Sequence, residues 1–381
     1  MSEDRALCRI LVIRLTALGD VLLATPAVRA LREAHPQARI EWLTQAAYAP
    51  LLEGLPFVDE VLRYERARDR GLRGTLRLFH ALRSRAYDAV VDLQRKPRTA
   101  IIAAACGADL RAAAHRRTFR GLVAAGMGRD KPLRGPHQTM RYAAALLPLG
   151  AGHGEPGALQ IGLSSAVRAE AEAEVDKLLG GTRQPLVALA PGAAHPTKRW
   201  SPLRFAEVGS ALSAAGRDLV LVGGPADAAE LDELRAGLGA LPAIDARWLG
   251  LPALAVLLSR CAVVISNDSG PVHLAQAVGT PVVDVFGPTE PVRWGPRGPH
   301  ARVVTLQLAC SPCTNHGGAR CPLGHHACMR DLPTGPVLEA ARALLEGRPA
   351  DASPGSLERP RPTPPPGAGA APAAAPREKT R

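Results

Sequence analysis

Four short stretches carry the residue types that do chemistry. The first is RLTALGDVLLATPAV, residues 14–28, where Asp20 follows Gly19 at the point a strand gives way to a helix. A carboxylate near a helix N-terminus is favoured electrostatically. The same group at the mouth of a strand–helix turn can serve as a general base. The residues alone leave both readings open. The stretch matches neither G-x-x-x-x-G-K-[ST] nor G-x-G-x-x-G, so it is not a Walker or dinucleotide loop. The second stretch is PGAAHPTKRW, residues 191–200, which sets a glycine, the Thr197 hydroxyl and the Lys198 ammonium between a strand and a helix. Backbone N–H groups at such a helix start attract phosphate, and Lys198 supplies the compensating charge. The third is SNDSGPVHLAQAVGTPVVDVFGPTEP, residues 266–291. Here Asp268-Ser269-Gly270 follows an apolar strand, and Pro271 suits the first turn of the next helix. The amides of Ser269 and Gly270 can face an anion, and His273 stands one turn further in.

The fourth stretch, CSPCTNHGGARCPLGHHACM, spaces Cys310, Cys313, Cys321 and Cys328 as C-x2-C-x7-C-x6-C, with His316, His325 and His326 nearby. Four thiolates can hold zinc tetrahedrally, and the opening pair has a suitable spacing. The later gaps depart from common zinc ribbons, so a structural zinc and free or redox-sensitive thiols both stand as readings. Cys8, Cys106 and Cys261 lie among apolar neighbours and read as small core residues.

The elements that must position these groups alternate in type. Apolar runs predict strands over 9–14, 39–43, 60–63 and 89–93, and helical spacing predicts a helix over 21–35, with Pro26 as a kink or restart. The plan repeats later, with strands over 185–190, 218–222, 262–266 and 281–286 and helices over 202–215, 251–259 and 272–278. The strand over 218–222 ends in Gly223-Gly224. Strand–helix alternation implies parallel sheets covered by helices, and ligands of such sheets bind at the carboxyl ends of the strands. Each polar stretch described above falls just after a predicted strand. The expected division is 1–165 for a first Rossmann-like half, 166–348 for a second, and 349–381 for a Pro/Ala-rich tail without the periodicity to bury a core.

Composition narrows the partners. Of the 381 residues 46% are hydrophobic and 22% charged, enough apolar material for two globular cores. The net charge of +12 is concentrated, since residues 63–120 hold fifteen Arg/Lys against five Asp/Glu. A local positive segment points to an anionic partner such as nucleic acid, phospholipid headgroups or a phosphorylated substrate, or else to a solvated Arg-rich surface. Aromatic content of 3% and the lack of a stacking series argue against nucleic acid. No apolar run approaches the length of a membrane span or the pattern of a signal peptide, so a cytoplasmic protein is expected.

Taken in order, ILVIRLTALGDVLLATPAVRAL (10–31), PGAAHPTKRWSPLRFAEV (191–208), LVGGPAD (221–227), SNDSGPVHLAQAVGTPVVDVFGPTEPVRWGP (266–296) and the closing CMRDL resemble glycosyltransferase family 9, the ADP-heptose:lipopolysaccharide heptosyltransferases. The resemblance covers about residues 8–345 and leaves the tail outside. It implies the GT-B fold, an α/β arrangement of two Rossmann-like domains facing across a cleft. It implies inverting transfer of heptose from ADP-heptose to the lipopolysaccharide inner core. Asp20 then matches the general base. Thr197 and Lys198 match a donor-phosphate loop, and Gly224, Asp268, Ser269, Gly270 and His273 complete the donor side. No cofactor is required for catalysis in this reading. The basic segment falls in the acceptor half, where it suits an anionic glycolipid and peripheral contact with the inner face of the inner membrane. Residues 94–120 are the expected seat of acceptor choice. The alternatives are a family member using another nucleotide sugar for a different surface glycan, and a non-catalytic nucleotide-sugar binder.

Overall fold

The computed structural model describes residues 7–69, 71–114, 135–181 and 185–347. The tail expected over 349–381 and residues 115–120 of the acceptor-choice segment lie outside them. The first half runs β1 (Arg9–Ile13), α1 (Leu18–Ala34), β2 (Arg39–Gln45), β3 (Glu60–Tyr64), α2 (Gly71–Arg83), β4 (Ala89–Asp92), α3 (Pro97–Ala105), β5 (Leu110–Ala113) and α4 (Gln138–Ala144). Helix α5 (Ser165–Leu179) leads into the second half. There follow β6 (Leu186–Ala190), α6 (Pro202–Ser213), β7 (Asp218–Leu221), α7 (Ala228–Leu238), β8 (Ile244–Asp245), α8 (Leu251–Ser259), β9 (Cys261–Asn267) and α9 (Gly270–Ala277). The chain closes with β10 (Val282–Val285), α10 (Pro291–Trp294), β11 (Ala301–Val304), α11 (Ala327–Arg330) and α12 (Thr334–Leu345).

Both sheets are parallel, ordered β3-β2-β1-β4-β5 and β11-β10-β9-β6-β7-β8. In each, the order reverses beside the first strand of the half, between β1 and β4 and between β6 and β9. A crevice opens at such a reversal, and ligands of doubly wound sheets bind there. Every predicted strand is present. The edge strands β5, β8 and β11 were not predicted: they are two to four residues long and largely unburied, so they lack the apolar run that marked the others.

Side chains alternate across each strand, which divides the apolar residues into three layers. Leu11, Ile13 and Val90 face outward under α2 and α3. Val187, Leu189, Val263 and Val283 face outward in the second half, against residues of α6, α7 and α12. The inward faces, with Ile10, Val12, Ala188 and Val264, join residues of α1, α8 and α9 in one continuous cluster shared by both halves.

Helix α1 begins three residues earlier than predicted, so Leu18, Gly19 and Asp20 form its first turn. Pro26 neither ends nor restarts it. Proline has no N–H for the Leu22 carbonyl, and the Thr25 hydroxyl donates to that carbonyl instead, at 2.8 Å. Cys106 and Cys261 are buried as expected, and burial pushes both thiols up to about 12. Cys8 is a correction: it is exposed, because it lies just before the start of the central strand β1, outside the apolar run, where its N–H donates to Asp88.

Candidate active site

Asp20, Asp268, Ser269, Gly270 and His273 gather where the N-terminal turns of α1 and α9 meet, and Lys198 joins them through Asp268. Gly19 and Gly270 permit the approach. A Cβ at Gly19 would lie 2.5 Å from His273 Cδ2, and one at Gly270 would lie 3.2 Å from Leu18 Cδ2. The N-terminal turn of each helix therefore touches the other across the two sheet rims.

On the first side, Asp20 keeps 22% of its side chain exposed. Its Oδ2 lies 2.5 Å from Arg14 Nη2, and its Oδ1 accepts from the Tyr142 hydroxyl at 2.8 Å. Arg14 is buried at the end of β1, donates to the Leu93 carbonyl at 2.9 Å, and stacks over the Tyr142 ring. Burial, then the Asp20 charge, raises the Tyr142 phenol far above its ordinary range, so it stays protonated and donates. Gln94 Oε1 accepts from the N–H groups of Leu15 and Thr16 and fixes the turn that delivers Asp20. Arg14, Gln94 and Tyr142 escaped the sequence reading, since Tyr142 lies 122 positions from its partner.

On the second side, Lys198 Nζ lies 2.8 Å from Asp268 Oδ2, with only 14% and 7% of the two side chains exposed. Thr289 donates to the same carboxylate oxygen at 2.6 Å. Ser269 caps the start of α9 with its backbone, and its hydroxyl pairs with that of Ser266 at 3.2 Å. Asn267 fastens the neighbouring loops, accepting from Trp200 N–H and donating to the Pro191 carbonyl. Thr197 is buried, and its hydroxyl donates to the Gly318 carbonyl at 3.0 Å and accepts from Gly318 N–H at 2.8 Å. That hydroxyl is committed to the cysteine segment. The Gly224 N–H donates to Asp227 at 2.9 Å, while a Cβ built on Gly224 would meet only one atom within 4 Å.

Burial pushes His273 down to about 4, with Asp268 and Asp20 opposing and Lys198 assisting, so the imidazole is neutral at pH 7 and its buried Nδ1 has no partner. Asp284 was not anticipated either. It shares the strand parity of Val282, faces the common layer, and is buried with both oxygens unpartnered. Burial, then Asp268, raises it well above the usual carboxyl range, so it is held as the neutral acid.

The cysteine segment braces this second side. Gly317 packs so closely on Lys198 that a Cβ would lie 2.9 Å from its stem. His326 bonds the Thr197 carbonyl at 2.8 Å, Cys313 N–H reaches the Pro288 carbonyl, and His316 lies against Trp294. Burial pushes Cys328 up to about 11. Burial acts on Cys321 too, but N–H groups from His326, Leu323, Gly324 and His325 outweigh it and hold that thiol below its ordinary value. Among the described residues no three His, Cys, Asp or Glu side chains are arranged to hold a metal ion.

A third contact closes the rim. His137 at the start of α4 accepts from Thr139 N–H on Nδ1, which leaves Nε2 to donate to the Gly295 carbonyl at 3.0 Å. Burial pushes it down to about 4, consistent with that neutral tautomer. Helix α4 thus carries both Tyr142, on Asp20, and His137, on the second half.

Two doubly wound halves have their switch points opposed, with a carboxylate on one rim and a lysine and a helix N-terminus on the other, in the GT-B arrangement. The model of glycosyltransferase family 9 (heptosyltransferase) matches residues 75–322, and the chain belongs to that family. It is 27% identical to lipopolysaccharide heptosyltransferase 2 of Escherichia coli K12, over 88% of this chain and 98% of that protein. The glycosyl transferase family 9 structure from Veillonella parvula superimposes with a TM-score of 0.76 at 26% identity, covering 89% of this chain and 98% of that one. Escherichia coli ADP-heptose lipopolysaccharide heptosyltransferase II gives 0.67 at 26% identity, covering 89% and 99%. Among the described residues no helix is long and apolar enough to cross a membrane.

Proposed function

We propose that the chain transfers heptose from ADP-heptose to the inner core of lipopolysaccharide, with inversion at the anomeric carbon. The observation that carries this is the opposition of Asp20 to the Lys198–Asp268 rim across the α1–α9 contact, in a chain of the heptosyltransferase family. The half spanning residues 1–165 takes the acceptor, and the half spanning 166–348 takes the nucleotide sugar.

Asp20 accepts the proton of the acceptor hydroxyl as its oxygen attacks the anomeric carbon. The bond from that carbon to the phosphate oxygen breaks, and ADP leaves with the electron pair. Arg14 and Tyr142 hold the carboxylate, which retains free lone pairs for the incoming proton. Lys198 and the Ser269 and Gly270 amides meet the charge that develops on the diphosphate. Asp268 and Thr197 position Lys198, the latter through Gly318. His273 offers a neutral imidazole beside the reacting groups, and Gly224 leaves space for the donor at the neighbouring loop. These groups supply the charge the departing diphosphate needs, so no cofactor takes part in the step.

The acceptor is an anionic glycolipid, and the enzyme works in the cytoplasm as a peripheral visitor to the inner face of the inner membrane. A structural zinc on Cys310, Cys313, Cys321 and Cys328 requires the thiols to draw together beyond the arrangement described above. Elemental analysis tests it, one zinc per chain lost with Cys310→Ser supporting the site and its absence leaving free thiols.

The reaction is tested by turnover with a panel of nucleotide sugars and a heptose-deficient lipopolysaccharide, comparing the native chain with Asp20→Asn. Transfer from ADP-heptose should fall by about 10²–10⁴ in the variant, with donor affinity nearly intact. Donor binding without transfer by the native chain would favour the non-catalytic reading. Undiminished transfer by Asp20→Asn would reduce Asp20 to a charge at a helix end.

A further inference from the structure

The outward face of the first half carries an apolar surface that no step above uses. Helix α2 sends Leu78, Phe79 and Leu82 into the layer beneath it. It also carries Leu72 and Leu76, which lie on the flank next to Phe79, two turns and one turn before it, and are 77% and 55% exposed. Ile101 on the adjoining α3 is 57% exposed. Single exposed leucines are ordinary on protein surfaces. These three belong to packed neighbouring helices and sit among exposed Arg73, Arg77, Arg95, Lys96 and Arg98. Neither helix contains an acidic residue. The nearby Asp69 is buried and paired with Arg68 and Arg77.

The patch has a fixed relation to the site. Helix α3 starts three residues after Gln94, which holds the turn that presents Asp20. Arg98 ties α3 to the approach of α2 through the Asp69 carbonyl and the Tyr64 ring. Lys96 is felt electrostatically by His316 on the opposite rim, so the basic edge reaches the mouth of the cleft.

We propose that the α2–α3 face is a docking surface for an anionic lipid bilayer, with Leu72, Leu76 and Ile101 entering the interface and the surrounding cations meeting lipid phosphates. Aliphatic side chains in a predominantly cationic field, with the exposed Glu65 answered by Arg68, match the chemistry of interfacial binding, in which burial of apolar groups and attraction to anionic headgroups add. The docked face sets the acceptor rim against the membrane, where the sugar end of a lipid-anchored acceptor can reach Asp20 while its acyl chains remain in the bilayer. This rests on the reading of the acceptor as a glycolipid.

The test is co-sedimentation of the full chain with phosphatidylglycerol/phosphatidylcholine vesicles and with phosphatidylcholine vesicles alone. The native chain should bind the anionic vesicles selectively. Leu72→Ser/Leu76→Ser/Ile101→Ser should bind about tenfold or more weakly with an unchanged thermal midpoint. Transfer to a vesicle-embedded acceptor should fall with binding, while Leu72→Ser/Leu76→Ser, which leaves the acceptor-choice segment intact, should transfer to a soluble, deacylated acceptor as the native chain does. Equal vesicle binding by native and triple-serine chains would overturn the proposal. So would native self-association that the serine variant abolishes, which would mark the face as a contact between two copies. Selective vesicle binding lost in the triple variant, together with failure to transfer to either acceptor, would leave the docking surface standing and remove the assigned reaction.

Discussion

Two helix N-termini meet in this molecule, and they are furnished differently. The start of α1 carries its own acid, Asp20, with a fifth of the side chain open and both oxygens steered by Arg14 and Tyr142. The start of α9 has no acid in its first turn. Its nearest carboxylate, Asp268, is sunk behind Lys198, and its Oδ2 is engaged by both Lys198 and Thr289. One terminus therefore presents a proton acceptor, and the other presents amides and an ammonium group. Acceptor activation and leaving-group stabilisation need opposite charges at a short separation, and two helix ends of the same intrinsic polarity deliver them because only one is filled from within.

Removing the cation at the second terminus should cost most. Lys198→Ala leaves Asp268 buried with Thr289 alone, and breaking such a pair costs about 3 kcal/mol or more. ADP-sugar affinity, read by calorimetry, should drop along with the denaturant midpoint. Lys198→Ala/Asp268→Asn should recover stability without recovering affinity, and unchanged affinity in the single variant would remove the lysine from the donor site.

The two buried histidines at the junction test the comparison through pH. His137 and His273 are both pushed down to about 4 by burial, against 6.5 for an ordinary imidazole. Between those values the unfolded chain binds protons that the folded chain refuses. Their contribution is fully present above 6.5 and is lost as pH falls toward 4, by about 3 kcal/mol for each ring. Urea unfolding across this range should show the decline, and His137→Gln should make it shallower.

A smaller effect is expected at the first terminus. Tyr142→Phe deletes one charge-assisted hydrogen bond to Asp20, worth about 1.5–3 kcal/mol. It should lower kcat by about tenfold or more while leaving the donor KM unchanged. An altered donor KM with normal kcat would place Tyr142 in binding rather than in orienting the base.

Much of this arrangement was legible in the sequence, for an identifiable reason. Strands buried on both faces read as unbroken apolar runs, so β1, β4, β6 and β9 were evident, and the polar residues that follow them fell automatically on the functional rims. Asp20, Lys198 and Asp268 were found that way. The partners of Asp20 were not, because Arg14 looks like the polar end of a strand and Tyr142 like any aromatic residue in a helix. Only the folded chain brings Tyr142 to Asp20, and Gly318 to Thr197. Asp284 did leave a visible signal as the one acid inside the run PVVDVF, though its environment depends on the layer it faces. The cysteines drew attention as a metal or redox motif, whereas the contacts show their segment clasping the loops of Thr197 and Pro288.

The inner layer has a consequence for the way the molecule comes apart. Ile10 and Val12 of one sheet belong to the same apolar cluster as Ala188 and Val264 of the other, through α1 and α9. Neither half can lose its structure without wetting the inner surface of its neighbour. Although the architecture repeats, melting is therefore a single cooperative event, and cutting the chain between the halves yields two fragments that each lack part of their own interior.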